Sequence, residues 1–252
     1  MESGIVAVIG GTGMNQWPGL EIDERLSAQT PYGAPSAPLL LGRVYGTRAL
    51  FLARHGEGHK LPPHAINYRA NVWALRQAGA SAVIAIAAVG GIAEWFAPGE
   101  VAIPDDVIDY TWGREHSYSD GREGSTLRHV EMTQPYAARL RTALDEGARS
   151  AGVRVAGAGV MAVTQGPRLE TAAEIRRLAR DGADMVGMTG LPEAALAAEL
   201  GLDYACLAVS VNWAAGVKGS GSIHAEIEQS IDAGMAKVRA ILARTLPALT
   251  LA

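Results

Sequence analysis

The chain has 252 residues, of which 48% are hydrophobic and 19% charged, and its formal net charge at pH 7 is -4. This length and apolar content are enough for a buried core, and a negative charge without a basic cluster argues against nucleic acid as a partner. The apolar segments are too short for a membrane span, and the N-terminus lacks the pattern of a signal peptide. We therefore expect a cytoplasmic protein with no membrane partner. Because no repeat or break in composition occurs, we expect one domain over residues 1–252.

The predicted elements alternate between strands and helices along the chain. Strands are expected at 5–9, 39–41, 49–53, 82–89, 101–103, 107–110, 160–163, 185–188 and 204–211, and helices at 67–77, 135–151, 172–179, 192–200 and 222–244. This alternation, with glycines at strand ends, predicts an α/β fold: a twisted, mostly parallel mixed sheet flanked by helices. Residues 111–128 form a polar loop of unusual length, and such loops tend to be functional. In parallel sheets, ligands bind at the carboxyl ends of the strands.

Several polar residues follow the predicted strands and form a candidate anion site. Thr12 lies in a Gly-Gly-Thr-Gly loop, where backbone N–H groups and the hydroxyl suit a phosphate; the glycine spacing does not match a dinucleotide fingerprint. Arg54 and His55 follow the strand at 49–53, and a guanidinium suits an oxyanion. Thr189 follows another strand and offers a further hydroxyl. Taken alone, each residue fits a turn or a solvated surface, but together they favour one phosphate site.

Two further side chains are candidates for contacting a base. Asn212 ends the last predicted strand, and its carboxamide both donates and accepts hydrogen bonds; the alternative is a turn-forming Asn. Glu170 lies beside a Gly-Pro turn, where the alternative is capping of the helix that follows. The histidines at 55, 59 and 64 are separated by glycines and prolines, so they share no helical face and no metal site is expected.

The order of these motifs resembles the purine nucleoside phosphorylase and methylthioadenosine phosphorylase family. The matching segments, spread over nearly the whole chain, are GGTG at 10–13, RHGEGH at 54–59, NYRANVWAL at 67–75, GPRLET at 166–171, VGMT at 186–189 and VSVNWAAG at 209–216. The resemblance implies phosphorolysis, in which phosphate attacks the anomeric carbon of a nucleoside and releases a purine and a sugar 1-phosphate. It also implies a homotrimer or a hexamer formed by two trimers. Inorganic phosphate is then a co-substrate, and no metal or organic cofactor is required.

The resemblance also implies a role for individual residues. Asn212 and His55 are the expected catalytic residues. The expected phosphate contacts are Thr12, Arg54, His55, Ala87, Ala88 and Thr189, although Ala87 replaces a threonine found in some members and removes one hydroxyl donor. The expected substrate contacts are Leu169, Glu170, Met188, Asn212, Trp213, Ala214 and His129. Among these, Met188 is expected beneath the ribose, and His129 in a neighbouring subunit's 5′ pocket unless it is an ordinary loop histidine.

Glu170 and Asn212 together favour a 6-oxopurine base. Members that act on adenine nucleosides carry aspartates where this chain has Asn212 and Ala214. Hypoxanthine has an N1–H that a carboxylate accepts and an O6 that an amide donates to, whereas adenine would place its N1 lone pair against Glu170. An unpaired buried polar group of this kind discriminates by about 10⁴-fold or more.

The 5′ substituent is indicated less directly. His224 resembles the 5′ residue of 6-oxopurine enzymes that bind a hydroxyl, but the chain length and the segments at 54–56 and 67–75 resemble the methylthioadenosine branch. Together these features resemble the bacterial S-methyl-5′-thioinosine phosphorylases, enzymes of purine salvage. Phosphorolysis of inosine or guanosine is the first alternative, and of methylthioadenosine the second. A non-catalytic nucleoside-binding protein is an alternative from another class.

Overall fold

The computed structural model describes residues 4–14, 16–119, 121, 126–218 and 223–250, with side chains except at 223–225 and 250. Within these residues the strands are β1 (Ile5–Gly10), β2 (Glu21–Leu26), β3 (Leu39–Val44), β4 (Thr47–Ala53), β5 (Ala80–Gly91), β6 (Val101–Ala102), β7 (Asp106–Tyr110), β8 (Val160–Thr164), β9 (Met185–Gly187) and β10 (Asp203–Trp213). The α-helices are α1 (Tyr68–Gln77), α2 (Ala138–Ser150), α3 (Ala172–Arg180), α4 (Gly190–Glu199) and α5 (Ile223–Thr250). One 3₁₀ turn covers Pro63–Ala65.

All these strands belong to one mixed sheet built around β5. Its main path runs β2-β3-β4-β1-β5-β9-β8-β7, and β10 pairs with both β5 and β6. The pairs β1–β4, β1–β5, β5–β10, β7–β8 and β8–β9 are parallel, whereas β2–β3, β3–β4, β5–β9 and β6–β10 are antiparallel. The expected fold class, a mixed sheet flanked by helices, is confirmed.

Strand β5 is central because its sequence is apolar on both faces. Almost all of its residues are buried, as expected for a strand covered on both sides. Its first half pairs with β1, most of its length pairs with β10, and its last two residues pair with β9. The carboxyl ends of β1, β4, β5 and β10 therefore meet at one edge, and the loop after β9 returns to the same edge.

Three elements differ from the sequence-based expectation. Strand β2 was not expected because it is charged and exposed along most of its length, as suits an edge strand that must not pair with another chain. Helix α2 begins at Ala138 rather than at residue 135. Helix α5 continues past residue 244 and through Pro247 to Thr250, because Leu242 and Leu246 remain buried there.

Candidate active site

A cleft opens where the carboxyl ends of the parallel strands meet. Including its open mouth, the cleft encloses about 840 Å³. Most of the candidate residues line it: Thr12, Arg54, His55, Ala87, Ala88, Leu169, Glu170, Met188, Thr189, Asn212 and Ala214. These residues lie far apart in the sequence and are brought together by the pairing around β5.

Thr12 lines the cleft in a loop that only glycine allows to pass so closely over β5. A side chain at Gly11 would place its Cβ 2.6 Å from the Ile86 carbonyl oxygen and 2.7 Å from Arg54 Nη1. Gly13 has a φ of 82°, a conformation that disfavours other residues. The glycine loop therefore lies directly against the Arg54 guanidinium, with the Thr12 hydroxyl beside it in the cleft.

The Arg54 guanidinium is fixed by buried partners that the sequence analysis did not identify. Its Nε donates to Glu193 Oε1 at 2.5 Å and its Nη2 to Glu193 Oε2 at 3.0 Å, while Nη1 donates to the Ile86 carbonyl at 2.8 Å. The Tyr204 hydroxyl donates to Glu193 Oε2 at 2.9 Å. Burial alone lowers the pKa of Arg54, but the adjacent carboxylate outweighs burial and the net pKa is raised. Arg54 is thus a permanent, rigidly oriented cation with one N–H on each terminal nitrogen left for an anion.

His55 is held as a neutral imidazole with a defined tautomer. Its Nδ1 lies 2.8 Å from the carbonyl oxygen of Leu61, which can only accept, so Nδ1 carries the hydrogen and Nε2 a lone pair. Burial and the charge of Arg54 lower the pKa of His55 to about 4 despite this hydrogen bond. His55 therefore offers the cleft a hydrogen-bond acceptor at neutral pH.

The candidate anion group consists of Thr12, Arg54 and His55, described above, together with Ala87, Ala88 and Thr189. The last three lie on β5 and at the start of α4. Thr189 is the N-cap residue of α4, but its hydroxyl makes no capping bond, so the hydroxyl is available to a ligand. Ala87 and Ala88 line the cleft on β5 and contribute backbone rather than a polar side chain. These groups surround one space with hydroxyl and guanidinium donors.

Met188 forms part of the cleft wall beneath the loop that carries Glu170. A Cβ added at Gly166 would lie 2.5 Å from Met188 Sδ, and Gly166 has a φ of 58°. A larger residue at 166 would therefore displace Met188. Ile227 of α5 also lines the cleft, three residues after His224.

Asn212 is oriented by the backbone of its neighbour. Its Nδ2 donates to the carbonyl of Trp213 at 2.7 Å, and the N–H of Trp213 donates to Glu226 Oε2 at 3.0 Å. One amide hydrogen and the oxygen of Asn212 remain for a ligand. Trp213, an expected substrate contact, is not among the residues that line the cleft.

Glu170 does not cap α3, which removes the alternative role considered for it. The N-cap is Thr171, whose hydroxyl accepts from the Glu174 N–H while the Glu174 carboxylate accepts from the Thr171 N–H. Glu170 instead borders the cleft, and its Oε1 accepts from the Thr164 hydroxyl at 2.5 Å. Its other oxygen has no such partner among the described contacts.

Arg114, which the sequence analysis did not single out, connects the strand ends behind Met188 and Glu170. Its guanidinium donates to the carbonyls of Met188 at 2.9 Å, Leu191 at 2.7 Å, Thr164 at 3.2 Å and Gln165 at 2.9 Å. Burial lowers its pKa, but the four carbonyls satisfy its donors. Arg114 lies in the long loop after β7, so the unusual length of that loop was the only signal in the sequence.

Besides Trp213, two candidate residues are not placed at the cleft of this chain. His129 is exposed on the long loop and does not line the cleft, so a contact with a neighbouring subunit stays a prediction. His224 lies in the first turn of α5, but its side chain is outside the described part of the structure. Among the described residues, no cluster of three or more His, Cys, Asp or Glu side chains could hold a metal ion. None of the described helices has the length and apolar character needed to cross a membrane.

Comparison with known proteins identifies the family. A model of the phosphorylase superfamily matches residues 5–247. The chain belongs to the phosphorylase superfamily. This confirms the family resemblance and makes the chain an enzyme of the nucleoside phosphorylase type.

The relatives and solved structures to which this chain is similar are named for two kinds of purine substrate. A probable S-methyl-5′-thioinosine phosphorylase of Pseudomonas syringae is 52% identical over 97% of this chain and 99% of its own length. The 6-oxopurine nucleoside phosphorylase of Pyrococcus furiosus is 42% identical over 88% of this chain and 84% of its own. A structure of Schistosoma mansoni methylthioadenosine phosphorylase with adenine has a TM-score of 0.92 at 30% identity, and the match covers 98% of this chain and 92% of that one.

Proposed function

We propose that this enzyme cleaves S-methyl-5′-thioinosine by phosphorolysis, giving hypoxanthine and 5-methylthioribose 1-phosphate, in purine salvage in the cytoplasm. The observation that carries the proposal is the placement of Glu170 and Asn212 on the same cleft as the anion group. The similarity to probable methylthioinosine phosphorylases over nearly the whole chain supports the same substrate.

The hydrogen-bond polarity of the cleft suits hypoxanthine. Glu170 is an acceptor for the N1–H, and the free amide hydrogen of Asn212 is a donor for O6. As the C1′–N9 bond breaks, its electron pair moves onto the purine. Solvent, which reaches the open cleft, supplies a proton to N7, and the Asn212 oxygen accepts a hydrogen bond from the resulting N7–H. Stabilisation of a leaving group of this kind is worth about 10²–10⁴-fold in rate.

Phosphate is the proposed nucleophile, held by the groups at the other end of the cleft. The two free N–H groups of Arg54 and the hydroxyls of Thr12 and Thr189 donate to its oxygens. The neutral Nε2 of His55 accepts the one hydrogen of monohydrogen phosphate, which leaves the attacking oxygen unprotonated. The bound dianion then stabilises the positive charge that develops on the sugar.

The 5′ end favours a methylthio group over a hydroxyl. Ile227 and Met188 both line the cleft with apolar side chains. A thioether buried against apolar side chains is favoured by about 0.8 kcal/mol for each methylene-sized group. Inosine or guanosine phosphorolysis is the second candidate, supported by similarity to 6-oxopurine nucleoside phosphorylases.

The deciding experiment measures phosphate-dependent release of base from methylthioinosine, inosine and methylthioadenosine under identical conditions. Methylthioinosine is expected to have the highest kcat/KM. Faster cleavage of methylthioadenosine would contradict the 6-oxopurine assignment, and faster cleavage of inosine would contradict the 5′ assignment. Activity is expected to survive treatment with a chelator, because the reaction uses phosphate and needs no metal.

The double substitution Glu170→Ser with Asn212→Asp tests whether these two side chains select the base. It removes the acceptor for N1–H and places a carboxylate where an exocyclic amine would lie, so the preference is expected to shift toward methylthioadenosine. The measurement is the ratio of kcat/KM for the two methylthio substrates. An unchanged ratio, with phosphate KM as in the wild type, would mean that other residues read the base.

The proposed assembly is a homotrimer, or a hexamer of two trimers, as the family resemblance implies. His129 is exposed on the long loop, where a neighbouring chain can receive it. Light scattering of the purified protein distinguishes monomer, trimer and hexamer directly. In a trimer, His129→Ala should raise the KM for nucleoside and leave the KM for phosphate unchanged.

A further inference from the structure

Thr164, the last residue of β8, engages one side of the Glu170 carboxylate. Its Oγ1 lies 2.5 Å from Glu170 Oε1 and 3.4 Å from the carbonyl oxygen of Gly187. A hydroxyl has one hydrogen, and the shorter, better contact is with the carboxylate. This contact is partly buried, where a hydrogen bond to a charged group is stronger than at the surface.

Glu170 also borders a second cavity. This cavity is lined by Thr164, Arg168, Glu174 and Arg177, together with the aromatic side chains of Tyr110 and Trp112. The Arg168 guanidinium is paired with Glu174 at 2.6 Å, and Arg177 lies 3.7 Å from Asp181. Glu170 therefore lies in the wall between the cleft and a cavity that contains two paired cations.

This arrangement gives Glu170 a competing orientation. Without a fixed contact, its carboxylate can turn into the second cavity, where Arg168 attracts it although that arginine is already paired with Glu174. A carboxylate turned into the second cavity no longer offers an acceptor to the N1–H of a base. Selectivity for 6-oxopurines then requires a contact that holds the Glu170 carboxylate in the wall between the two cavities.

We propose that Thr164 is a positioning residue for base selectivity, acting by fixing Glu170 Oε1 and leaving Oε2 for the base. The proposal rests on the proposed function, since it takes Glu170 as the group that reads N1. Thr164 donates to Oε1. Oε2 keeps its lone pairs, so the wall presents an acceptor and disfavours the N1 lone pair of adenine.

The test compares Thr164→Val, which removes the hydroxyl at similar volume, with Thr164→Ser, which keeps it. The quantity measured is the ratio of kcat/KM for methylthioinosine to that for methylthioadenosine. Thr164→Val should lower this ratio by about 10- to 100-fold, the range expected when a hydrogen bond to a charged group is lost. Thr164→Ser should keep the ratio within about threefold of the wild type, and the KM for phosphate should be unchanged in both variants.

A double-mutant cycle distinguishes the loss of Glu170 positioning from a general disturbance of the cleft. In a Glu170→Ser background Thr164→Val should leave the ratio unchanged, because the group that Thr164 positions is gone. Thr164→Ala serves as a second variant if the valine variant does not fold. A wild-type ratio in the folded Val or Ala variant, or an equal loss with and without Glu170, would overturn the proposal.

The same measurements keep this proposal distinct from the substrate assignment. The ratio in the wild type alone tests which base is preferred. The change in the ratio on replacing Thr164, and its dependence on Glu170, tests the positioning role whatever the wild-type preference is.

Discussion

At the scale of single residues, His55 shows how a local environment sets chemical character. A histidine has a pKa near 6.5 in an unfolded chain. Here burial and the neighbouring Arg54 lower it to about 4, and Leu61 fixes the tautomer. Sequence alone indicates the expected roles of His55 but not its protonation, whereas the structure makes it an acceptor that remains neutral over the physiological range.

This lowered pKa predicts a specific pH dependence of stability. Between pH 6.5 and 4 the unfolded chain binds a proton at His55 that the folded chain does not, so the free energy of unfolding falls as the pH decreases through this window. His55→Gln should remove this contribution, which approaches one proton near pH 5. Urea unfolding from pH 4.5 to 7.5, at one protein concentration, measures the slopes. Parallel curves for the two proteins would show that His55 does not titrate in this way.

At the scale of secondary-structure elements, the anion group depends on an ion pair between the end of β4 and the start of α4. Arg54 and Glu193 are 1% and 0% exposed, and Tyr204 of β10 adds a third contact. Removing one partner of a buried pair leaves an uncompensated charge, which typically costs about 3–5 kcal/mol. The pair therefore couples the proposed phosphate end of the cleft to the packing of two elements.

Replacing Glu193 should reveal this coupling. Glu193→Gln keeps the shape but removes the charge, so we expect a loss of about 3 kcal/mol of unfolding free energy. Added phosphate should raise the melting temperature more in this variant than in the wild type, because the anion replaces the missing negative charge. Glu100→Gln, which breaks a half-exposed pair with Lys237 at 3.2 Å, is the matched control and should cost under about 1 kcal/mol. Equal phosphate shifts in all three proteins would rule the coupling out.

The elements that could be predicted from sequence are those whose pattern is local. The apolar run of β5 and the glycine after β1 are visible in the sequence, and so are the polar residues that follow each strand. Strand β2 was missed because its charged pattern is that of a surface segment, although an edge strand has the same pattern. Its pairing partner, not its composition, makes it a strand.

The residues that line the site could be predicted from the sequence, but the residues that hold them in place could not. Thr12, Asn212 and most other candidates line one cleft, and their contacts with substrate stay predictions. The supporting residues depend on distant partners: Glu193 is 139 positions from Arg54, and Arg114 is 74 positions from Met188. No local pattern distinguishes such residues from ordinary charged ones, because their role exists only after folding.

At the scale of the whole molecule, α5 joins the core to the mouth of the cleft. It packs on β10 and against α2, and its amino-terminal part supplies Ile227 to the cleft. Glu226, one residue earlier, accepts from the backbone N–H of Trp213. The carboxyl-terminal half of α5 is purely structural, with Leu242 fully buried.

The two halves of α5 should respond differently to substitution. Leu242→Ala removes a buried side chain far along the helix, and we expect a loss of about 2–5 kcal/mol of unfolding free energy with unchanged KM values. Gln229→Ala, on the exposed side of the same helix, should change stability by less than about 0.5 kcal/mol. Calorimetry and steady-state kinetics below the melting temperature check both. A changed KM in the Leu242 variant would mean that the halves are not separable.

The Arg114 contacts have a consequence for how ligands enter and leave. One guanidinium is bonded to the backbone at the end of β8 and to the backbone on both sides of Thr189. Neither segment can shift without breaking bonds that also hold the other. The two segments therefore behave as a single mechanical unit. We expect any opening of the cleft to leave them fixed relative to each other.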